Sequence, residues 1–176
     1  MNIIIYGSNY GNAGKYAEEL AKRSGYEYIP YKEVKDINSY ETIVYIGSLY
    51  ASGVLGMDKT FKKLTDISSK KIIVATVGIA DPTEKANSDS IKRGIQKRIS
   101  KELYEKASIF HLRGGIDYSQ LNFMHKTMMG MLYKRCVNWP EEKKTSEVRA
   151  MIDTYNKKVD FIDFDSLAPI IQELKK

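Results

Sequence analysis

Three apolar runs constrain this chain more than anything else in it. Ile3-Ile4-Ile5-Tyr6, Ile43-Val44-Tyr45-Ile46 and Ile72-Ile73-Val74-Ala75 are continuous, and the first two stop at glycines, Gly7 and Gly47. A strand with one wet face alternates apolar and polar residues, so an unbroken apolar run calls for a sheet covered on both sides. Helical spacing lies between the runs. Lys15 to Arg23 sets Tyr16, Leu20 and Ala17 or Ala21 on one side, 53 to 64 carries Leu55, Phe61 and Leu64 among lysines, and a third helix is predicted from about Ala86 to Tyr104. Short strands at Tyr26 to Tyr31 and Ala107 to Leu112 bring the count to five. Strict alternation of strand and helix predicts an α/β fold with a doubly wound, five-stranded parallel sheet between two helical layers, in strand order 2-1-3-4-5.

Beyond Arg113 the pattern changes. Residues 121 to 135 form a Met-rich helical candidate with Phe123, Met124, Met128, Met129, Met131 and Leu132. A polar stretch from Pro140 to Thr145, a helix to about Tyr155 and a last helix from Asp163 or Asp165 to Leu174 complete the chain. With 176 residues, 43% of them hydrophobic, and no repeat or linker, one domain over 1–176 is expected. No apolar run approaches the ~18 residues that span a bilayer, and the run after Met1 is too short for a signal peptide. The expectation is therefore a cytoplasmic protein whose membrane contact, if any, is peripheral and on the inner face.

A single cysteine, Cys136, excludes an internal disulfide and a CxxC pair, so redox chemistry here must come from a cofactor. His111 and His125 show no metal-ligand spacing and read as structural residues; no metal is expected. The net charge of +6 suits an acidic partner. The basic residues are dispersed as solvent faces of helices, however, and no nucleic-acid partner is expected.

In open α/β sheets a ligand lies beyond the carboxyl ends of the strands where strand order reverses. Three loops should converge there: Gly7 to Gly14, Gly47 to Gly53, and Thr76 to Asp81. The first, Ser8-Asn9-Tyr10-Gly11-Asn12-Ala13-Gly14, offers backbone N–H groups and a positive helix end to a phosphate. It is neither a Walker A loop, because Gly14-Lys15 precedes Tyr16 and not a hydroxyl, nor a Gly-x-Gly-x-x-Gly fingerprint.

Residues 3 to 13 resemble the phosphate loop of flavodoxins, with Ser8, Gly11 and Asn12 in place and Tyr10 and Ala13 where hydroxyls are usual. The resemblance implies a flavodoxin-like three-layer fold and one FMN. Its phosphate would be held by the segment Ser8, Asn9, Tyr10, Gly11, Asn12 and Ala13, with the backbone N–H groups, Ser8 and Asn12 as donors. Ser48, Leu49, Tyr50 and Ala51 would cover one face of the isoalloxazine, Tyr50 being the stacked aromatic, and Thr76, Val77 and Gly78 would lie against its edge. Asp81 reads as a turn cap.

Arg113-Gly114-Gly115-Ile116-Asp117-Tyr118 followed by the Met-rich segment resembles a subgroup of flavodoxin-like proteins that includes menaquinone-dependent protoporphyrinogen oxidase. That subgroup implies an FMN-dependent oxidoreductase passing electrons between a small substrate and a quinone, with no catalytic acid or base identifiable. The alternative is an electron carrier docking redox proteins. Carriers of this fold are generally acidic, and this chain is basic. A binding module without FMN is a third reading, and a receiver domain is disfavoured because Tyr6-Gly7-Ser8 stands in place of an acidic pair. For helix 121–135, contact with flavin, with a second subunit in a homodimer, or with lipid beside Lys126, Lys134 and Arg135 is open.

Overall fold

The structure is a computed structural model describing residues 1–50 and 53–176. In chain order its elements are β1 (Asn2–Gly7), α1 (Asn12–Ser24), β2 (Glu27–Pro30), β3 (Thr42–Tyr50), β4 (Gly53–Val54), α2 (Met57–Phe61), β5 (Lys71–Gly78), α3 (Lys85–Gln96), α4 (Lys101–Lys106), β6 (Ser108–Arg113), β7 (Gly115–Asp117), α5 (Phe123–Cys136), α6 (Ser146–Thr154), β8 (Lys158–Asp160) and α7 (Ala168–Leu174). The main sheet runs β2-β1-β3-β5-β6, all parallel, with β4 paired antiparallel to the end of β3. This is the anticipated order 2-1-3-4-5, and the chain has a flavodoxin-like α/β architecture.

Successive residues of a strand point to opposite faces, so each apolar run feeds two cores. Ile4, Val44, Ile46, Ile73 and Ala75 pack against α1 and α7 through Tyr16, Ala17, Leu20 and Ile170. Ile3, Ile5, Ile43, Tyr45, Ile72 and Val74 pack on the other side with Met57, Phe61, Ile95 and Leu103. The continuous runs are continuous because both faces are dry.

Three helical expectations change. The helix expected from 53 to 64 shrinks to α2, because Gly53 and Val54 pair back onto Tyr50 and Leu49, and Gly56 (φ 78°) turns the chain before a helix can start. The helix expected from 86 to 104 is two helices. Ser100, in extended backbone, accepts Leu103 N–H at 3.2 Å and starts α4 afresh. At the C-terminus a 3₁₀ turn over Phe164–Leu167, capped by Asp163, precedes the short α7. A two-stranded antiparallel pair, β7 with β8, was not anticipated.

No helix among the described residues is long and apolar enough to cross a membrane. Cys136 is a buried free thiol.

Candidate functional site at the carboxyl edge of the sheet

The first loop turns on Gly11. Its φ of 92° and ψ of −16° are adopted without strain by glycine alone, and its N–H donates to Ser8 Oγ at 3.0 Å. The turn delivers the chain into α1, whose N-terminus has no side-chain cap and no acid in its first turn. Its first N–H groups are therefore left for water or a ligand, with the positive end of the helix dipole behind them. A Cβ at Gly11 would meet no atom of the described residues within 4 Å, so among them the space above the loop is open. A phosphate fits this cradle.

Asn9 and Tyr10 are exposed on this loop, and Ser8 is half-buried with a hydroxyl proton still to donate. Asn12 is turned elsewhere: its side-chain amide donates to Gly115 O at 2.6 Å, tying the loop to the chain after β6. Ala13 is fully buried in the core, leaving only its backbone N–H for a ligand.

The second loop is largely strand. Gly47 and Ser48 still pair with Thr76 and Val77, after which Leu49 and Tyr50 leave the sheet to pair with Val54 and Gly53. Ser48 O accepts Leu55 N–H at 2.9 Å, and the buried Tyr45 hydroxyl donates to Leu55 O at 2.5 Å, which fixes the hairpin against the sheet. Burial pushes the Tyr45 phenol well above its ordinary pKa. Tyr50 projects with 37% of its surface exposed. Ala51 lies outside the described residues.

Thr76 and Val77 lie within β5, not past its end. Thr76 is fully buried with its hydroxyl 2.8 Å from His111 Nδ1, and Val77 packs in the core, so neither side chain faces the edge. Gly78 does reach the edge. It accepts Gly114 N–H at 2.7 Å, and the Leu49 side chain lies so close that a Cβ there would come within 2.7 Å of it. The second and third loops therefore touch at Leu49 and Gly78. Asp81 accepts from Thr83 N and Thr83 Oγ1 at 2.9 and 2.7 Å, the expected turn cap, and these bonds hold its carboxyl below the usual range.

The residue that sequence reasoning left out of the site is His125. It is 8% exposed, in the first turn of α5, and its ring stands edge-on between two tyrosines from different loops. Nδ1 is hydrogen-bonded to Tyr10 Oη, Nε2 to Tyr50 Oη at 3.2 Å, with ring centroids 5.5 and 5.6 Å apart. Asn122 caps α5 by accepting His125 N–H at 2.8 Å, and Asn122 N–H reaches Tyr10 Oη at 3.4 Å. One imidazole thus joins the first loop, the hairpin after β3 and the extra helix. The only signal in the sequence was the Asn-x-x-His cap spacing, which says nothing about a partner 115 residues away.

His111 is the other histidine, and burial lowers its pKa to about 4, so it stays neutral inside the sheet edge. Arg113, at the end of β6, donates from Nε to Ile79 O at 2.9 Å and lies 3.8 Å over the Phe161 ring. Behind the third loop, a cleft of about 350 Å³ carries Asp81, Glu84 and Asp153 opposite Arg113, Arg149 and Lys157. No cluster of metal ligands occurs among the described residues.

The family model for the flavodoxin domain matches residues 3–146. No curated protein matches the sequence. Similar solved structures include a flavodoxin from Fusobacterium nucleatum bound to flavin mononucleotide, 18% identical over 69% of this chain and 74% of that one, with a TM-score of 0.43. Another is a putative flavoprotein from Bacteroides uniformis ATCC 8492, 11% identical over 64% of this chain and 90% of that one, TM-score 0.42. A cysteine mutant of Pseudomonas aeruginosa flavodoxin is 15% identical over 77% and 96%, TM-score 0.38. With most of its length matched by that domain model, the chain belongs to the flavodoxin domain family.

Proposed function

We propose that this protein binds one FMN at the carboxyl edge of its sheet and uses it as an oxidoreductase of the protoporphyrinogen oxidase-like kind. The observation that carries the cofactor is the uncapped start of α1 below an open, left-handed Gly11, set beside an exposed Tyr50. FMN, when bound, supplies electron acceptance and release in one- or two-electron steps. The protein's own contributions are binding and orientation. The first-turn N–H groups of α1 and the Ser8 hydroxyl neutralise phosphate charge, Tyr50 presents a flat uncharged face, and His125 holds Tyr10 and Tyr50 in register. An uncharged aromatic face disfavours added negative charge on the ring and so lowers the potential of the second electron.

The basic balance of +6 supports a small-molecule substrate and a quinone acceptor over the acidic docking surface of a carrier. The exposure of Tyr50 supports the carrier reading, in which a redox protein meets an accessible ring edge. Purified protein should be yellow, with flavin absorbance at one FMN per chain. Anaerobic titration followed by turnover of protoporphyrinogen with a menaquinone analogue separates the two readings. Flavin without turnover on any quinone leaves the carrier, and a colourless protein that ignores excess FMN removes both.

A further inference from the structure

Arg113 closes β6 opposite Gly78, the last residue of β5, and so stands at the carboxyl edge of the sheet beside the third loop. It is half-buried and fixed from two directions. Nε donates to Ile79 O at 2.9 Å, and the guanidinium carbon lies 3.8 Å from the centre of the Phe161 ring. The terminal N–H groups nevertheless have no acceptor, and Arg113 forms no ion pair among the described residues. Two of the acids near it are engaged elsewhere. Asp81 accepts both donors of Thr83, and Glu84 accepts Ser146 Oγ at 2.5 Å with Arg149 Nη2 4.0 Å away. Arg149 itself donates from Nη1 to Lys144 O at 2.8 Å. These residues line the cleft of about 350 Å³, together with the apolar Ile79, Ala150, Val159 and Phe161 and the exposed Asp153 and Lys157.

We infer that this cleft is a binding site for a small planar carboxylate, an aromatic acid of one ring, whose carboxylate takes both terminal nitrogens of Arg113 and whose ring lies among Ile79, Val159 and Phe161. The guanidinium fork matches the two oxygens of a carboxylate, and because its plane is already fixed by Ile79 O and Phe161, little side-chain freedom is lost on binding. One negative charge suits the cleft better than a phosphate dianion, since Asp81, Glu84 and Asp153 all border it and would repel the second charge. Small-molecule sites span about 300–1,000 Å³, and a volume at the lower end of that range limits the ligand to about one ring. The inference does not rest on FMN. The turn at Gly11 and this cleft share no residue, and the cleft begins at Ile79, one residue past Gly78.

The probe is benzoate, titrated into the full chain and followed by calorimetry and by amide shifts in nuclear magnetic resonance. One benzoate per chain is expected, with shifts in residues 79–84, 113 and 146–161 and with binding that weakens as salt rises. On the same wild-type protein benzyl alcohol and inorganic phosphate should each bind at least about tenfold more weakly, a comparison that needs no variant to fold. Arg113→Lys keeps the charge and loses the fork, and should weaken benzoate by at least about tenfold. Lys157→Gln, on an exposed side chain, should change it by less than about threefold. Absence of saturable benzoate binding by the folded protein overturns the proposal. So does benzyl alcohol binding as tightly as benzoate, which describes an apolar slot without an anion subsite, or an affinity that Arg113→Lys leaves unchanged. Phosphate binding more tightly than benzoate at Arg113 overturns the carboxylate in favour of a phosphate, and shifts confined to residues 8–13 overturn the cleft in favour of the start of α1.

Discussion

Removing the His125 ring tests whether one side chain organises the site. His125→Ala breaks the bonds to Tyr10 and Tyr50 and empties a position that is 8% exposed. A net hydrogen bond contributes about 0.5–1.5 kcal/mol, and both hydroxyls sit on residues exposed enough to rehydrate, which places the pair at about 1–2 kcal/mol. Loss of ring packing adds about 1 kcal/mol. The sum, about 2–3 kcal/mol, corresponds to a fall in Tm of roughly 5–10 °C for a chain of this size. Thermal unfolding followed by near-ultraviolet circular dichroism reads it. Tyr10→Phe and Tyr50→Phe, alone and combined with His125→Ala, then isolate each pair, and a coupling of about 0.5–1.5 kcal/mol is expected for each. FMN affinity should fall about tenfold, because two loops must be ordered on binding that were ordered beforehand. Coupling energies below about 0.3 kcal/mol for both pairs, within ordinary additivity, would refute the idea that His125 ties the two loops together.

Other perturbations separate the parts of the site. Gly11→Val puts a β-branched residue at φ 92°; with no atom of the described residues within 4 Å of its Cβ, the stability cost is conformational, about 1–2 kcal/mol or more, and FMN stoichiometry should collapse. Retention of one FMN per chain would show that the phosphate lies elsewhere. Tyr50→Ala should leave the melting curve within a few degrees of wild type while moving flavin fluorescence and the second reduction potential; no movement in either means that Tyr50 does not stack. His111 has its folded pKa lowered to about 4, so the unfolded chain takes up the proton first. Stability from this group is complete above its ordinary pKa of 6.5 and is lost as pH falls from there toward 4, by at most about 3 kcal/mol and less where solvent reaches the ring. Urea unfolding across that range should flatten in His111→Phe, and an unchanged pH slope would mean that His111 titrates alike in both states.

The sheet was legible because its strands are buried on both faces, and burial leaves a continuous apolar trace in Ile3–Tyr6, Ile43–Ile46 and Ile72–Ala75. Gly11 was placed only by the likeness of its loop to a phosphate loop, and the structure supplies the local reason, a left-handed turn before a helix. The rest depends on contacts between distant residues. Nothing near Asn12 announces that its amide goes to Gly115, and nothing near Thr76 announces that its hydroxyl meets His111. Helix α5 could be placed but not oriented, because its two buried members, His125 and Cys136, are not its most apolar ones. The pairing of Gly115–Asp117 with Lys158–Asp160 involves strands of three residues, too short to carry a period.

That small antiparallel pair has an engineering consequence. Gly115 lies opposite Asp160, Tyr118 N–H donates to Lys157 O, and Phe161 N–H donates to Gly114 O, so the chain leaves the end of β6 and comes back beside it before running on to α7. Everything between, α5 and α6 included, is an excursion whose two feet are already stapled together. Closing the feet with a short hairpin turn costs little loop entropy. The excursion can therefore be exchanged as a cassette, leaving the five parallel strands and the Gly11 turn as a common chassis.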